Sequence, residues 1–177
     1  MALLRLKETN REDLEAEWRF VRDMPENENG LTNSWHGISR EEFAAVALPR
    51  ALAWARGEDL PEGIVPETQF YLWAGGEIVG QFRLRHRLNE ALRRGAGHIG
   101  YFIAAPFRGR GYGTEGLRLT LEKAFAVVPE EEIFLRLLRT NTASLRVMEK
   151  NGGRVAGEDG EHFYVRIPKP PRQAGSV

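Results

Sequence analysis

Phe107-Arg108-Gly109-Arg110-Gly111-Tyr112-Gly113-Thr114 is the stretch on which the fold turns. Just upstream, His98 to Ala104 (HIGYFIA) reads as a strand, and Pro106 brings it to a stop. Downstream, from Gly111 to Val128, the apolar residues Leu117, Leu121, Ala124, Phe125 and Val128 fall on one helical face. The glycines therefore sit in a turn from strand to helix. Such a helix start exposes unpaired backbone N–H groups at the positive end of the helix dipole. Glycine lets a bulky anion come close to that backbone, and Arg108 and Arg110 add full charge beside it. Diphosphate is the ligand this turn suits best. A turn that only caps a helix needs one glycine, whereas this one has Gly109, Gly111 and Gly113 at alternate positions.

Two other phosphate-binding patterns compete for the same residues. Gly111 to Gly116 reads as G-x-G-x-x-G, the dinucleotide fingerprint. That motif follows its strand directly, yet Ala104 and Gly111 are well separated here. Leu138-Arg139 stands where an acidic ribose ligand is expected, and too little chain follows for a doubly wound sheet. No Gly-Lys-Ser/Thr follows the glycines, so the P-loop pattern fails as well.

Working outward, 177 residues with 42% hydrophobic content suit one domain with a sizeable core. Lys and Arg together equal Asp and Glu, so no basic field favours nucleic acid. There is no cysteine, which removes disulfides, thiolate metal sites and Cys nucleophiles and fits a reducing compartment. The start, MALLRLKETNRED, turns polar too soon for a signal peptide, and no run is long enough to span a membrane. A cytoplasmic protein without membrane partners is expected. The four histidines lack metal-ligand spacing, so no metal is expected.

Residues 3 to 7 read as a strand, and Leu14, Trp18 and Val21 place a helix over 11 to 24. The polar stretch 25 to 38 reads as a loop. Ser39-Arg40-Glu41-Glu42 forms a capping box for a helix toward Arg56, with a kink expected at Pro49. Gly75-Gly76 between two apolar runs signals a hairpin, and the charged stretch 86 to 97 reads as a second loop. Ile133 to Leu138 is a strand. Asn141 caps a short helix that ends at Asn151-Gly152-Gly153, and two last strands flank Asp159-Gly160. The expected fold is α/β (α+β): a mixed, mostly antiparallel sheet of six or seven strands, with some parallel pairing, flanked by helices. Residues 1–167 form the single domain, and 168–177 (PKPPRQAGSV) are expected to be a disordered tail.

With these residues in place, the chain resembles the GNAT family of N-acetyltransferases. The family's pyrophosphate signature, Gln/Arg-x-x-Gly-x-Gly/Ala, is matched by Arg108 to Gly113, with Pro106 just upstream. A second family pattern, Asn-x-x-Ala/Ser opening a helix after the next strand, is matched by Asn141-Thr142-Ala143-Ser144. The likeness covers residues 69 to 167 well and the N-terminal part more loosely. It implies the acyl-CoA N-acyltransferase fold with acetyl-CoA as cosubstrate. Backbone amides of Arg108, Gly109, Arg110, Gly111, Tyr112, Gly113 and Thr114 would hold the pyrophosphate. The strand around Phe102 and Ile103 would splay from its neighbour to pair with the pantetheine arm, and Asn141 and Ser144 would contact the cofactor from the other side. A small-molecule or peptide amine would then attack the thioester directly.

An alkyl amine with a pKa near 10 is about 0.1% neutral at pH 7, so deprotonating it costs roughly 4 kcal/mol. A base is therefore useful. His98, at the start of the cofactor strand, is the first candidate; the other reading is a strand-edge histidine bonded to backbone. Glu90 and His86 are alternatives that would otherwise bind substrate, and Trp35 with His36 could line the acceptor pocket. His162 is given no role. Relatives often use a Tyr seven residues after the Asn to protonate the leaving thiolate, but here Met148 stands there. Ser144, water, Tyr101 or Tyr164 would have to serve instead. The rival reading is a CoA-binding sensor or interaction protein with little activity. The final strands would let a second copy pair into a homodimer.

Overall fold

The computed structural model describes residues 3–171. Its centre is the hairpin β4 (Glu67–Ala74) and β5 (Glu77–Arg85), turned by Gly75-Gly76 with Gly75 at φ +66°. β1 (Leu4–Glu8) adds to the outer edge of β4 and β6 (Ile99–Ile103) to that of β5, giving the order β1-β4-β5-β6. A second sheet, β7-β9-β8, joins Glu132–Leu138, His162–Pro168 and Arg154–Glu158. Every ladder is antiparallel, so the expected parallel pairing does not occur among the described residues. The reason lies between β6 and β7, which belong to different sheets.

Period-two alternation gives the first sheet two buried faces. Phe70, Leu72, Phe82, Leu84 and Ile99 pack beneath α5 (Tyr112–Val127), against Leu117, Leu121 and Ala124. The helical stripe read from the sequence lies on this core, except that Phe125 is only partly buried. On the other face Tyr71 and Ile78 meet Val21 of α1 (Leu14–Asp23) and Phe43, Ala47 and Leu48. Phe43 and Ala47 lie in a π-helical turn (Phe43–Ala47) that follows α2 (Arg40–Glu42), and Leu48 opens α3 (Leu48–Ala55). Pro49 has no N–H to continue the α-helical ladder, and the widened turn precedes it. Ser39 Oγ accepts from the Glu42 N–H at 3.1 Å, so the Ser39 half of the capping box forms.

Two stretches read as loops carry structure. Asn29 (φ 52°) and Gly30 (φ 82°) turn a short hairpin, β2 (Asn27–Glu28) with β3 (Leu31–Thr32). Paired positive φ values suit the twist of a tight hairpin. Asn89 caps α4 (Glu90–Arg94) by accepting from the Leu92 N–H. After α6 (Thr142–Lys150), Gly152 is left-handed at φ 81°, and the Gly153 N–H returns to the Met148 carbonyl at 2.9 Å. Of the segment 168–177, Pro168 pairs with Glu132 and the Lys169 N–H donates to the Glu131 carbonyl. Residues 172–177 lie outside the described residues.

Gly116, buried in α5, lies against Cζ and Cε2 of the Phe82 ring, and a Cβ built there would stand 2.6 Å from Phe82 Cε2. The helix approaches the sheet this closely only because the position has no side chain. For Gly116→Ala, overpacking of about 1–3 kcal/mol should outweigh the ~1 kcal/mol that alanine gains in a helix. Chemical denaturation should therefore give a lower midpoint, and an unchanged or higher midpoint would contradict the tight contact.

Candidate active site

The residues just before β6 are pinned to the middle of β7, and the two strands part beyond that point. An isolated bridge joins Gly97 to Leu135, and the His98 N–H donates to the Phe134 carbonyl at 2.7 Å. The His98 side chain completes the pin. Its Nδ1 accepts from the Phe134 N–H at 2.9 Å, which leaves the proton on Nε2, 3.0 Å from Glu130 Oε2. His98 is fully buried, and desolvation lowers its pKa despite the carboxylate beside it. Burial is the largest single effect on the Glu130 carboxyl and raises it, but the His98 bond, a backbone bond and the nearby His98 and Arg93 charges together leave it below its ordinary value. Both ring nitrogens are committed to structure and the ring is absent from the cleft wall, so His98 is not placed as a base.

Beyond the pin the strands enclose a cleft of about 620 Å³. Tyr101, Phe102 and Ile103 of β6 form one wall, and Leu137, Leu138, Asn141 and Ser144 the other. The glycine turn closes its end. Gly109 and Gly111 are left-handed (φ 74° and 79°), with no heavy atom within 4 Å of where a Cβ would stand. Gly113 is tighter, with Val147 Cγ2 at 3.4 Å from that point. Gly111 is the α5 N-cap and offers no side-chain cap, and the first helical bond runs from the Glu115 N–H to the Gly111 carbonyl. The Tyr112, Gly113 and Thr114 amides are therefore left for whatever enters the cleft. Bare backbone, helix dipole and open space together fit a diphosphate.

The two arginines of the turn behave differently. Arg108 Nε donates to the Ile103 carbonyl at 2.8 Å, and its terminal nitrogen pairs with Glu28 Oε2 at 2.7 Å. It thus ties the end of β6 to the β2–β3 hairpin at the cleft mouth. Arg110 stacks over Phe107 and stands outside the cleft lining.

Asn141 Oδ1 accepts from the Ser144 N–H at 3.2 Å, capping α6 and setting Ser144 against the opposite wall. There Ser144 Oγ meets the Tyr101 hydroxyl at 2.6 Å. Burial pushes the Tyr101 phenol up to about 12, against the lowering effect of Ser144. A protonated phenol is therefore held in the cleft wall. Met148, at the position where a tyrosine is expected, lines the cleft nearby with no exchangeable proton.

The remaining candidates are scattered. Glu90 is exposed on α4 and paired with Arg94, outside the cleft. His86 Nε2 lies 2.7 Å from Thr68 Oγ1, burial lowers its pKa, and it too is absent from the cleft. His36 is exposed, with Nδ1 2.8 Å from the Met24 carbonyl. Trp35 holds Arg50 over its ring and lines a smaller cavity of about 110 Å³ on the α1–α3 face of the sheet. Sequence reading gave no role to three groups. Arg83 lines both cavities, His162 is the one histidine in the cleft wall, and Asn151 ties α6 to α5 through the Thr114 carbonyl. The alternation of Gln81, Arg83 and Arg85 within an apolar strand was the available signal for the first.

Two sheets splayed around a helix N-terminus make up the acyl-CoA N-acyltransferase fold. The chain matches the Acetyltransferase (GNAT) domain family over residues 4–154. In structure it is similar to Mycobacterium smegmatis RimJ in complex with CoA-disulfide, at 24% identity over 94% of this chain and 82% of that one, TM-score 0.67. It is also similar to the ribosomal-protein-S5-alanine acetyltransferase from Vibrio fischeri, at 15% identity over 96% and 95%, TM-score 0.71. A third likeness is to a spermidine N-acetyltransferase chimera of Vibrio cholerae SpeG and hSSAT, at 16% identity over 93% and 95%, TM-score 0.61. The chain belongs to the GNAT acetyltransferase family, and as an enzyme it is an acetyl-CoA-dependent N-acetyltransferase.

Two measurements probe the turn and the pin. Gly111→Val forces a β-branched residue into the left-handed region, a strain of about 1–3 kcal/mol, beside the free amides. Calorimetry should show CoA affinity falling about tenfold or more, and unchanged affinity would remove the turn from the binding site. For His98, the folded pKa lies below the ordinary 6.5, so the unfolded chain takes up its proton first as pH falls. Its contribution to stability is full above 6.5 and is lost as pH falls from there toward the depressed folded value. His98→Gln keeps an acceptor and a donor without titrating. Wild type should therefore lose stability relative to this variant as pH falls below 6.5, and a constant difference would contradict the buried neutral imidazole.

Proposed function

We propose that this chain, with residues 1–167 as one catalytic domain, transfers the acetyl group of acetyl-CoA directly to a primary amine, without an acyl-enzyme. The observation that carries this reading is the uncapped start of α5 at one end of a cleft whose wall bears a protonated tyrosine. Bound acetyl-CoA would supply the activated acyl group. The amides of residues 109 to 114 hold its diphosphate, the Arg108 N–H being spent on the Ala105 carbonyl at 3.3 Å, with the Arg108 side chain able to exchange Glu28 for a phosphate oxygen. The free edge of β6 at Phe102 and Ile103 offers main-chain donors and acceptors to the pantetheine amides. Asn141 shapes the opposite wall by fixing α6.

Tyr101 takes the role that Met148 cannot. Its hydroxyl, joined to Ser144, donates a proton to the departing thiolate, and Ser144 relays a replacement. A thiol leaves with a pKa near 8.5, so a phenol raised to about 12 is a weak acid for the task but a better donor than none. The base is assigned to His162. It begins β9 beside the end of β7 in the cleft wall, with Asp159 Oδ1 3.4 Å from Nδ1 to orient the ring. An imidazole can take the proton of the attacking amine and pass it to solvent. Similar structures carry names that range from an S5-alanine acetyltransferase to a spermidine acetyltransferase, and the acceptor is narrowed by the charge of the cleft itself.

Release of CoA thiol in the presence of an amine panel tests the reading. Turnover with at least one amine is expected, and silence with every amine despite tight CoA binding would favour the binding module. Within that assay Tyr101→Phe should lower kcat by roughly tenfold to a hundredfold, and His162→Gln should lower it by a similar factor. If Tyr101→Phe leaves kcat unchanged, the thiolate takes its proton elsewhere.

A further inference from the structure

Arg83 stands on β5, opposite Gly100 of β6 and Gln69 of β4, on the sheet face turned toward α1 and α3. It is the point where the main cleft and the smaller cavity meet, since both are lined by Arg83 and Thr32. One terminal nitrogen donates to the Thr32 carbonyl at 3.2 Å. Its Nε is buried with no acceptor, the only buried side-chain polar atom among the described residues left in that state. No carboxylate pairs with it. The nearby Glu67 is taken by Arg85, 3.4 Å from its Nε, and the positive charge of Arg83 itself helps lower the Arg85 pKa. Two guanidinium groups thus stand at the junction of two cavities with one carboxylate, which is paired to Arg85.

A buried donor without an acceptor is costly, and a guanidinium without a counter-charge more so. The group that would complete this one is a planar oxyanion, which an arginine fork grips through parallel bonds. The phosphates of the cofactor do not fill this need. They belong at the glycine turn beyond Ile103, whereas Arg83 faces Gly100, about 10 Å back along the strand. What reaches Arg83 is the other substrate. Resting on the acetyl-transfer reading, we propose that the acceptor is an amine that also carries a carboxylate, and that Arg83 binds this carboxylate and so sets specificity against polyamines.

Two amines of equal length make the test: 4-aminobutanoate and 1,4-diaminobutane, each titrated by calorimetry into the CoA-loaded protein and again without CoA. Wild type should bind the aminocarboxylate and disfavour the diamine. Arg83→Met should weaken 4-aminobutanoate roughly ten- to a hundredfold, and Arg83→Lys should restore part of the loss. The ligand-free melting temperature of Arg83→Met should stay level or rise, because the Nε donor left without an acceptor is removed. A merely structural arginine would instead lower it. Tripeptide amides beginning with aspartate or asparagine form a second arm: preference for aspartate places the carboxylate on a peptide, and preference for 4-aminobutanoate alone places it on a free metabolite. Equal or tighter binding of the diamine, or aminocarboxylate binding unaffected by Arg83→Met, overturns the proposal. Failure to bind CoA would sink the acetyl-transfer reading separately.

Discussion

The imidazole of His98 holds together the two strands between which everything else is arranged. It accepts from the Phe134 amide and donates to Glu130, so two elements more than thirty residues apart are fastened at one point. Because this bond lies just before β6 begins, divergence can begin immediately afterwards. A continuous ladder would have filled the space with main-chain bonds and left no cleft. The open edge of β6 is therefore a designed vacancy in a sheet rather than a frayed one. Burial keeps the imidazole neutral, which suits a ring that must accept as well as donate.

Around this opening the protein distributes its polar groups by role. Anion-binding capacity is concentrated at the glycine turn, where amides cost little to leave bare because the end is solvated and open. The protonated phenol lies deeper, where burial keeps its proton in place. Arginine is placed still further along, at Arg83, on the face opposite the α5 core. Charge and proton donors thus follow the length of the cleft in separate stations. The Arg108 bridge to Glu28 adds a fourth feature, tying the mouth to the β2–β3 hairpin that a polar loop reading had concealed.

Much of this was legible in the sequence because the signals were local. The turn 107–114, the Gly75-Gly76 hairpin, the Asn141 cap and the Gly152 stop each follow from the residues at the site. The seven strands of the two main sheets match the count expected for the fold. What could not be read was the direction of single side chains whose partners are remote. His98 looks the same in sequence whether it faces the cleft or Glu130, thirty-two residues away. His86, Glu90 and His36 were drawn in by type alone, and each is held by a local contact elsewhere. The Asn29-Gly30 turn carried its own hairpin signal, but strands of two residues are too short to show alternation. The division of the sheet likewise depended on a side-chain bond between distant segments.

Gly116 gives the molecule a less obvious property. By letting α5 rest directly on Phe82, it fixes how high the whole helix rides above the sheet, and the free amides one turn earlier ride with it. The altitude of the proposed phosphate cradle is therefore set from inside the apolar interior, by a buried residue outside the cleft lining. Packing and recognition here share a single mechanical reference, so the chain is not free to drift at this core position without retuning the grip at its surface.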